Sequence, residues 1–339
     1  MSDGFRFPAE WEPHEATLLS WPNRRGVSYP DEATARVEPT FLAMAEALAL
    51  GRETVCINVS DEAERDRIAG MLAPEVSARV RFLPIPTDEP WVRDHGPTIL
   101  RRDADGARRA VCWEYNAWGE KYRPFDQDAA AGGKMAENLG IGMVRPGIVV
   151  EGGSLDANGT GLVLVSESSV ANPNRNPGRD RAELEAILSN ALGGAEILWV
   201  NAEVPGDDTD GHVDCFARFV AVDHVLASRP SADQVADYPT LEANFVHLSA
   251  LGRERGFRVD PLPIPGKIVT DGMVLPATYA NFYIGNGVIL CPVFEDRHDD
   301  PVAAVLGAAF PGRRIAQIPA RDLIWGQGGF HCLTQQIPA

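Results

Sequence analysis

The chain has 339 residues, with 31 Lys and Arg against 48 Asp and Glu, a net charge of −17, and 45% apolar residues. That apolar share is enough to bury a core and excludes a disordered chain, while the acidic balance argues against nucleic acid or an anionic membrane surface and would attract small cations. The start of the chain reads as no secretory signal and no apolar run is long enough to cross a bilayer; five scattered cysteines without C-x-x-C spacing point to a reduced, cytoplasmic compartment rather than a disulfide framework or zinc ribbon.

In chain order, Glu38 to Ala49 has helical spacing and leads through Gly51 into a β-rich run, Thr54 to Val59. Asp61 to Leu72 reads as a second helix capped by Ser60 or Asp61. Val80 to Leu83 is a strand that delivers Trp91-Val92-Arg93-Asp94. Ile148 to Val150 is a strand running into Glu151-Gly152-Gly153, and Leu162 to Val165 follows. Arg179 to Leu192 is the clearest helix, closed by Gly193-Gly194. Strands are expected at Ile197 to Val200 and Phe216 to Val222, then at Val288 to Leu290 after a turn region, Asn281 to Gly287. A helix over Pro301 to Phe310 and a strand over Ile315 to Ile318 precede the last loop. The alternation predicts repeated α/β modules, although no repeat shows as sequence identity. No low-complexity linker divides the chain, so 1–339 is expected to be a single domain.

Five polar clusters end or interrupt these apolar runs, where a rigid scaffold can place site residues. The last is Gly326-Gln327-Gly328-Gly329-Phe330-His331-Cys332. A cysteine behind a glycine-rich bend suits a nucleophile presented by backbone that approaches something closely; the bland alternative is a buried, inert thiol. His331 would point away from Cys332 on extended backbone and is expected to be structural. In His212-Val213-Asp214, strand spacing turns imidazole and carboxylate to one face, suiting proton transfer beside a thiol; a structural histidine in an acidic loop explains it equally.

Asp94, between Arg93 and His95, reads alone as an ion-paired loop residue. Glu151, before two glycines, either caps a turn or orients a histidine. In Asn172 to Pro177, turn chemistry dominates and only Arg175 has a wider role open to it. One thiol, one imidazole and three carboxylates suit a guanidinium, whose planar fork of donors two carboxylates can hold. A metal site on His212, Asp214, Glu151 and Asp94 is the rival from composition.

These residues also carry a resemblance. The stretches Pro8 to Glu15, Trp91 to Pro97, Glu151 to Ser154, Asn172 to Pro177, Asp208 to Asp214, Pro276 to Tyr283 and His331 to Gln336 make the chain resemble the agmatine deiminase and bacterial peptidylarginine-deiminase-like family. That family lies within the guanidine-modifying pentein superfamily. The resemblance implies an α/β fold, a five-bladed α/β propeller with pseudo-fivefold symmetry, and a guanidine deiminase that makes an N-carbamoyl product and ammonia.

It implies Cys332 as nucleophile, His212 as general acid and base, and Glu151 as the residue that orients His212. Asp94 and Asp214 would grip the guanidinium, with Trp91 and Asp210 among the substrate-binding residues. Asp207 and Asp208 join Asp210 as candidates to attract a distal ammonium. No metal and no organic cofactor is implied. The expected partner is a small cationic guanidine, with no nucleic acid and no membrane, and a homo-oligomer stays open. An amidinotransferase, a deiminase of free or peptide-bound arginine, and a non-catalytic guanidine-binding protein are the alternatives. Two departures, Gln327 within the glycine run and Asn23 to Val27 after Trp21-Pro22, leave the exact guanidine open.

Overall fold

Short runs of branched and aromatic residues pair into hairpins here, and each hairpin is followed by a helix that returns the chain to a parallel strand. The computed structural model describes residues 3–23 and 26–339. Within them the same connectivity occurs five times. Thr98–Arg102 pairs antiparallel with Arg108–Val111, and after the helix Asp126–Asn138 the strand Gly142–Val144 joins in parallel. Leu155–Ala157, Leu162–Ser166, the helix Arg181–Ala191 and Glu196–Val200 repeat the order.

Ala217–Ala221, His224–Ser228, the helix Pro239–Arg255 and Arg258–Leu262 form the third unit. Tyr283–Ile284, Val288–Val293, the helix Asp299–Ala309 and Arg314–Pro319 form the fourth. The fifth joins the two ends of the chain: Gln335–Pro338 pairs antiparallel with His14–Ser20, which continues through the helix Asp31–Leu50 to the parallel strand Thr54–Asn58. Val80–Leu83 extends that sheet, and Phe5–Arg6 extends the first one.

Local chemistry accounts for the boundaries. The Asp61 carboxylate accepts from the Glu64 N–H at 2.8 Å and Asp180 from Glu183 at 2.9 Å, each satisfying a donor that an N-terminal helix turn leaves free. Gly193 closes its helix at φ +80°, and a β-carbon there would lie 2.1 Å from the Phe5 carbonyl oxygen. Helix faces then seal the sheets. Phe41, Met44 and Leu48 of Asp31–Leu50 are buried in the same apolar cluster as Leu290, Leu306, Phe330 and Cys332.

Several sequence expectations shift. The first helix begins at Asp31 rather than Glu38 and runs through Pro39, because packing of its apolar face outweighs the missing N–H. Asp61 is the cap of the second helix, which stops at Ala69. Ile148 to Val150 is not a strand: only Val149 bridges, to Glu114. Trp91 to Asp94 does not continue a strand, since Val92–His95 is a short helix. His212 to Asp214 is not strand either, because Val213–Cys215 forms a 3-10 turn. Of the Asn23 to Val27 departure, Arg24 and Arg25 lie outside the described residues.

Candidate active site

The five units place five segments alike. Asp94 precedes the first strand of one unit by four residues, Glu151 that of the next by four, Asp214 by three, Asn281 by two and Cys332 by three. Strand entrances from different sheets therefore deliver these groups, and the groups meet around Gly153. A β-carbon on Gly153 would lie 2.5 Å from His212 Nδ1, 2.9 Å from Asp94 Oδ1 and 3.0 Å from Asp214 Oδ2. Only a residue without a side chain lets these three converge. The strand-spacing argument for His212 and Asp214 is thus replaced by a turn that reaches the same point.

Each group is held by named partners. Asp94 Oδ1 accepts from the Gly153 N–H at 2.9 Å, and Oδ2 from Trp118 Nε1 at 3.0 Å. Trp118 itself stands on a left-handed turn, φ +54°. His212 is fully buried between two carboxylates, with Nδ1 3.7 Å from Asp94 Oδ1 and Nε2 3.6 Å from Glu151 Oε2. Neither ring nitrogen makes a hydrogen bond. Glu151 Oε1 accepts from Arg175 Nε at 2.7 Å, which gives Arg175 its wider role. Among the described residues no group of three or more His, Cys, Asp and Glu is arranged to hold a metal ion.

Around the thiol, Asn281 Nδ2 donates to Cys332 Sγ at 3.1 Å, and its Oδ1 accepts from the N–H groups of His331 and Cys332 at 2.9 and 3.2 Å. Asp214 Oδ2 lies 3.5 Å from Cys332 Sγ and 2.6 Å from His331 Nδ1. The expectation that His331 points away on extended backbone is therefore corrected. Residues 330–333 form a turn, and His331 shares one carboxylate oxygen with the thiol. Its Nε2 lies 2.8 Å from Glu10 Oε2, and Glu10 is also paired with Arg218 at 2.8 Å and Arg93 at 3.2 Å. Cys215 stands beside the pair, its thiol donating to Asp214 Oδ1 at 3.6 Å.

Sequence reasoning gave no role to Asn281, Trp118, Glu10 or Cys215. The signal that could have found Asn281 is its position at a strand entrance, equivalent to that of Cys332.

These surroundings set the charges. Burial pushes the Asp94 carboxyl up, and Asp214 and Glu151 add to this against the pull of His212, so it stands at about 6. Burial would lower the His212 imidazole, but the charges of Asp94, Glu151 and Asp214 outweigh it and hold it up at about 10. Burial also opposes ionisation of Asp214, yet the interaction with His331, with His212 and Arg218 nearby, brings it down to about 2. Glu151 is lowered in the same way, by Arg175 and His212 against burial. For Cys332 the neighbouring Cys215 thiol pulls down, while burial and the carboxylates Asp214 and Asp94 prevail and leave the thiol raised.

Trp91, Asp94, Trp118, Tyr122, Asp208 and Cys332 line a cavity of about 20 Å³ above the sulfur, room for about one water. A larger cavity, about 630 Å³, lies elsewhere, beside Phe5, Arg109 and Ile187, and no thiol or imidazole lines it. Of the three loop acids, Asp207 accepts from the Thr209 and Gly211 N–H groups. Asp210 is paired with Arg175 at 2.6 Å and Lys121 at 2.9 Å and does not line the cavity. Asp208 does line it, with the Tyr122 hydroxyl donating to its Oδ2.

A model of the Porphyromonas-type peptidyl-arginine deiminase family matches residues 6–338. The agmatine deiminase of Pseudomonas fluorescens is 35% identical over 365 residues, covering 100% of this chain and 96% of that one. The agmatine deiminase of Enterococcus faecalis superposes with a TM-score of 0.88 at 28% identity, over 99% and 96% of the two chains. That of C. jejuni with substrate bound, a cysteine-to-serine form, gives 0.87 at 25% identity over 99% and 96%. A dimethylarginine dimethylaminohydrolase from Pseudomonas aeruginosa shares the fold alone, at 14% identity and a TM-score of 0.55 over 96% of this chain and 100% of that one.

Proposed function

This chain belongs to the Porphyromonas-type peptidyl-arginine deiminase family, and from that premise we propose that it hydrolyses the guanidinium of agmatine, or a close alkylguanidine, to the N-carbamoyl product and ammonia. The observation that carries this is the convergence of one thiol, one imidazole and three carboxylates on a single buried point beside Gly153.

In the proposed mechanism, Asp94 and Asp214 hold the guanidinium nitrogens. Arrival of that cation offsets the carboxylate field that keeps the thiol protonated, and the Cys332 proton leaves to solvent. The thiolate sulfur bonds to the guanidinium carbon, and the C=N electron pair moves onto nitrogen. His212, an imidazolium in the free enzyme, gives its proton to the departing nitrogen. The C–N bond breaks, ammonia leaves and a thiouronium on Cys332 remains. The now neutral His212 takes a proton from water as its oxygen bonds to the carbon. The C–S bond then breaks, the electron pair returns to sulfur, and the hydroxyl proton leaves to solvent as the ureido carbonyl forms. Glu151, anchored by Arg175, keeps the imidazole turned and favours its charged form.

A free amino acid would bring its carboxylate beside Asp208, which disfavours arginine. The shared connectivity supports five blades closing into a propeller with pseudo-fivefold symmetry and a central site, with 1–339 as a single domain. Among the described residues no helix is long and apolar enough to cross a membrane, and a cytoplasmic location is part of the proposal. A small cationic guanidine is the proposed partner, with no nucleic acid and no membrane.

Ammonia release from agmatine, free arginine and a peptide arginine tests the assignment, with agmatine expected to give the highest kcat/KM. No ammonia from any of them, with transfer of the amidino group to added amines, would refute it. Cys332→Ser should lower kcat by about 10⁴-fold or more at unchanged Tm.

A further inference from the structure

The loop before Cys332 carries one side chain into the cavity. At Gly326 a β-carbon would lie 2.5 Å from Tyr29 Cζ, and at Gly328 it would lie 2.4 Å from Trp91 Cζ3. At Gly329 it would lie 2.6 Å from Asn281 Oδ1. Aromatic rings and an amide thus occupy the space beside three of the four residues. Gln327 is the exception, and it lines the cavity together with Cys332, Asp94 and Asp208.

Two costs coincide on this residue. Its backbone is left-handed, φ +76° and ψ 12°, a conformation in which a β-carbon crowds the following carbonyl oxygen and glycine is at ease. Its amide oxygen Oε1 is buried without a hydrogen-bond partner, an arrangement that folding does not reward. Backbone strain and an orphaned acceptor at one cavity-lining residue point to a ligand that relieves the second cost. An amide oxygen accepts, so the missing partner is a donor. Its cavity neighbour Asp208 has one oxygen taken by the Tyr122 hydroxyl, and a carboxylate there favours a cationic donor.

We propose that Gln327 is a specificity-determining residue whose Oε1, together with Asp208, receives the distal ammonium of an ω-amino alkylguanidine held at its other end by Asp94 and Asp214. This rests on the deiminase assignment above. It implies that the chain selects substrates by the group at the far end from the reacting carbon, through an amide that adds no charge of its own.

The test compares agmatine with n-butylguanidine, which has the same carbon chain and no amine, in the wild type, Gln327→Gly and Gln327→Ala. Steady-state ammonia release gives KM and kcat. Both variants should raise KM for agmatine about tenfold with kcat within about twofold, and should shrink the agmatine-to-butylguanidine ratio of kcat/KM about tenfold. The Tm of Gln327→Gly should not fall, since glycine relieves the left-handed strain. A ratio unchanged in both variants overturns the proposal, as does an equal fall in kcat for both compounds. A ratio altered in Gln327→Gly and not in Gln327→Ala assigns the effect to backbone freedom and overturns it too. Wild-type protein inactive on both guanidines removes the deiminase assignment itself, and the role of Gln327 with it, a result distinct from the others.

Discussion

Asp94 and His212 lie 3.7 Å apart, and burial acts on them in opposite senses, raising a carboxyl and lowering an imidazole. Their mutual charge does not cancel this evenly: Asp94 is held at about 6 and His212 at about 10. The kcat/KM profile of the free enzyme should therefore rise with pH as the Cys332 proton is lost, and should fall more steeply below about pH 6, where Asp94 takes a proton and loosens its proposed grip on guanidinium. On the alkaline side it should fall near pH 10, as His212 loses the proton it must donate. For stability the sign is fixed by the direction of the His212 shift. Its folded pKa lies above the ordinary 6.5, so its contribution is complete below about pH 6.5 and is lost as pH rises through about 10. A slope that does not change near pH 6 would remove Asp94 from substrate binding.

Gly153 tests the geometry directly. In Gly153→Ala the new β-carbon displaces His212, Asp94 or Asp214, and kcat/KM should fall about 100-fold or more. The fold should lose about 1–3 kcal/mol, read from a denaturant midpoint. At this scale the chemical groups were legible in the sequence, because Cys, His, Asp and Glu beside glycine runs are unusual at the ends of apolar stretches. Their second partners were not. Nothing in the one-dimensional spacing of Glu10, Trp118, Asn281 and Cys215 brings them to the same point, and Asp210 could not be seen to be occupied by Arg175 and Lys121.

At the scale of elements, hydrophobic periodicity located the helices and the buried strands, and missed where packing overrode local preference. The helix Asp31–Leu50 is the clearest case. Pro39 has no N–H to offer the carbonyl of Ala35, yet the helix continues because Phe41, Met44 and Leu48 are buried on one side. Pro39→Ala should restore the missing donor and add about 2 kcal/mol. That is less than the ~3 kcal/mol cost of an interior proline, since removing it also loosens the unfolded chain. A denaturant midpoint that stays put would mean the helix has bent to absorb the proline at no cost. His212 to Asp214 failed differently: an extended run was expected and a 3-10 turn is present. The shared direction of the two side chains comes from convergence on Gly153 rather than from a period of two.

The unit that joins the ends of the chain belongs to the largest scale. Gln335–Pro338 pairs with His14–Ser20, a contact across nearly the whole sequence that no local pattern announces, and it anchors the loop bearing Cys332. The repeat stayed hidden for the same reason: connectivity is common to the five units and side chains are not. What the whole molecule adds to the site is its field. With 31 basic and 48 acidic residues, the net charge of −17 attracts cations over distances longer than any contact, an attraction that salt screens with a Debye length of about 10 Å at 0.1 M. Agmatine carries two positive charges and n-butylguanidine one. If encounter is steered by this field, log kcat/KM against the square root of ionic strength should fall about twice as steeply for agmatine. The slope should persist in Gln327→Gly, because steering acts before the distal ammonium is bound. Equal slopes for the two compounds would confine the electrostatics to the carboxylates around Gly153 and leave the surface charge without a part in substrate capture.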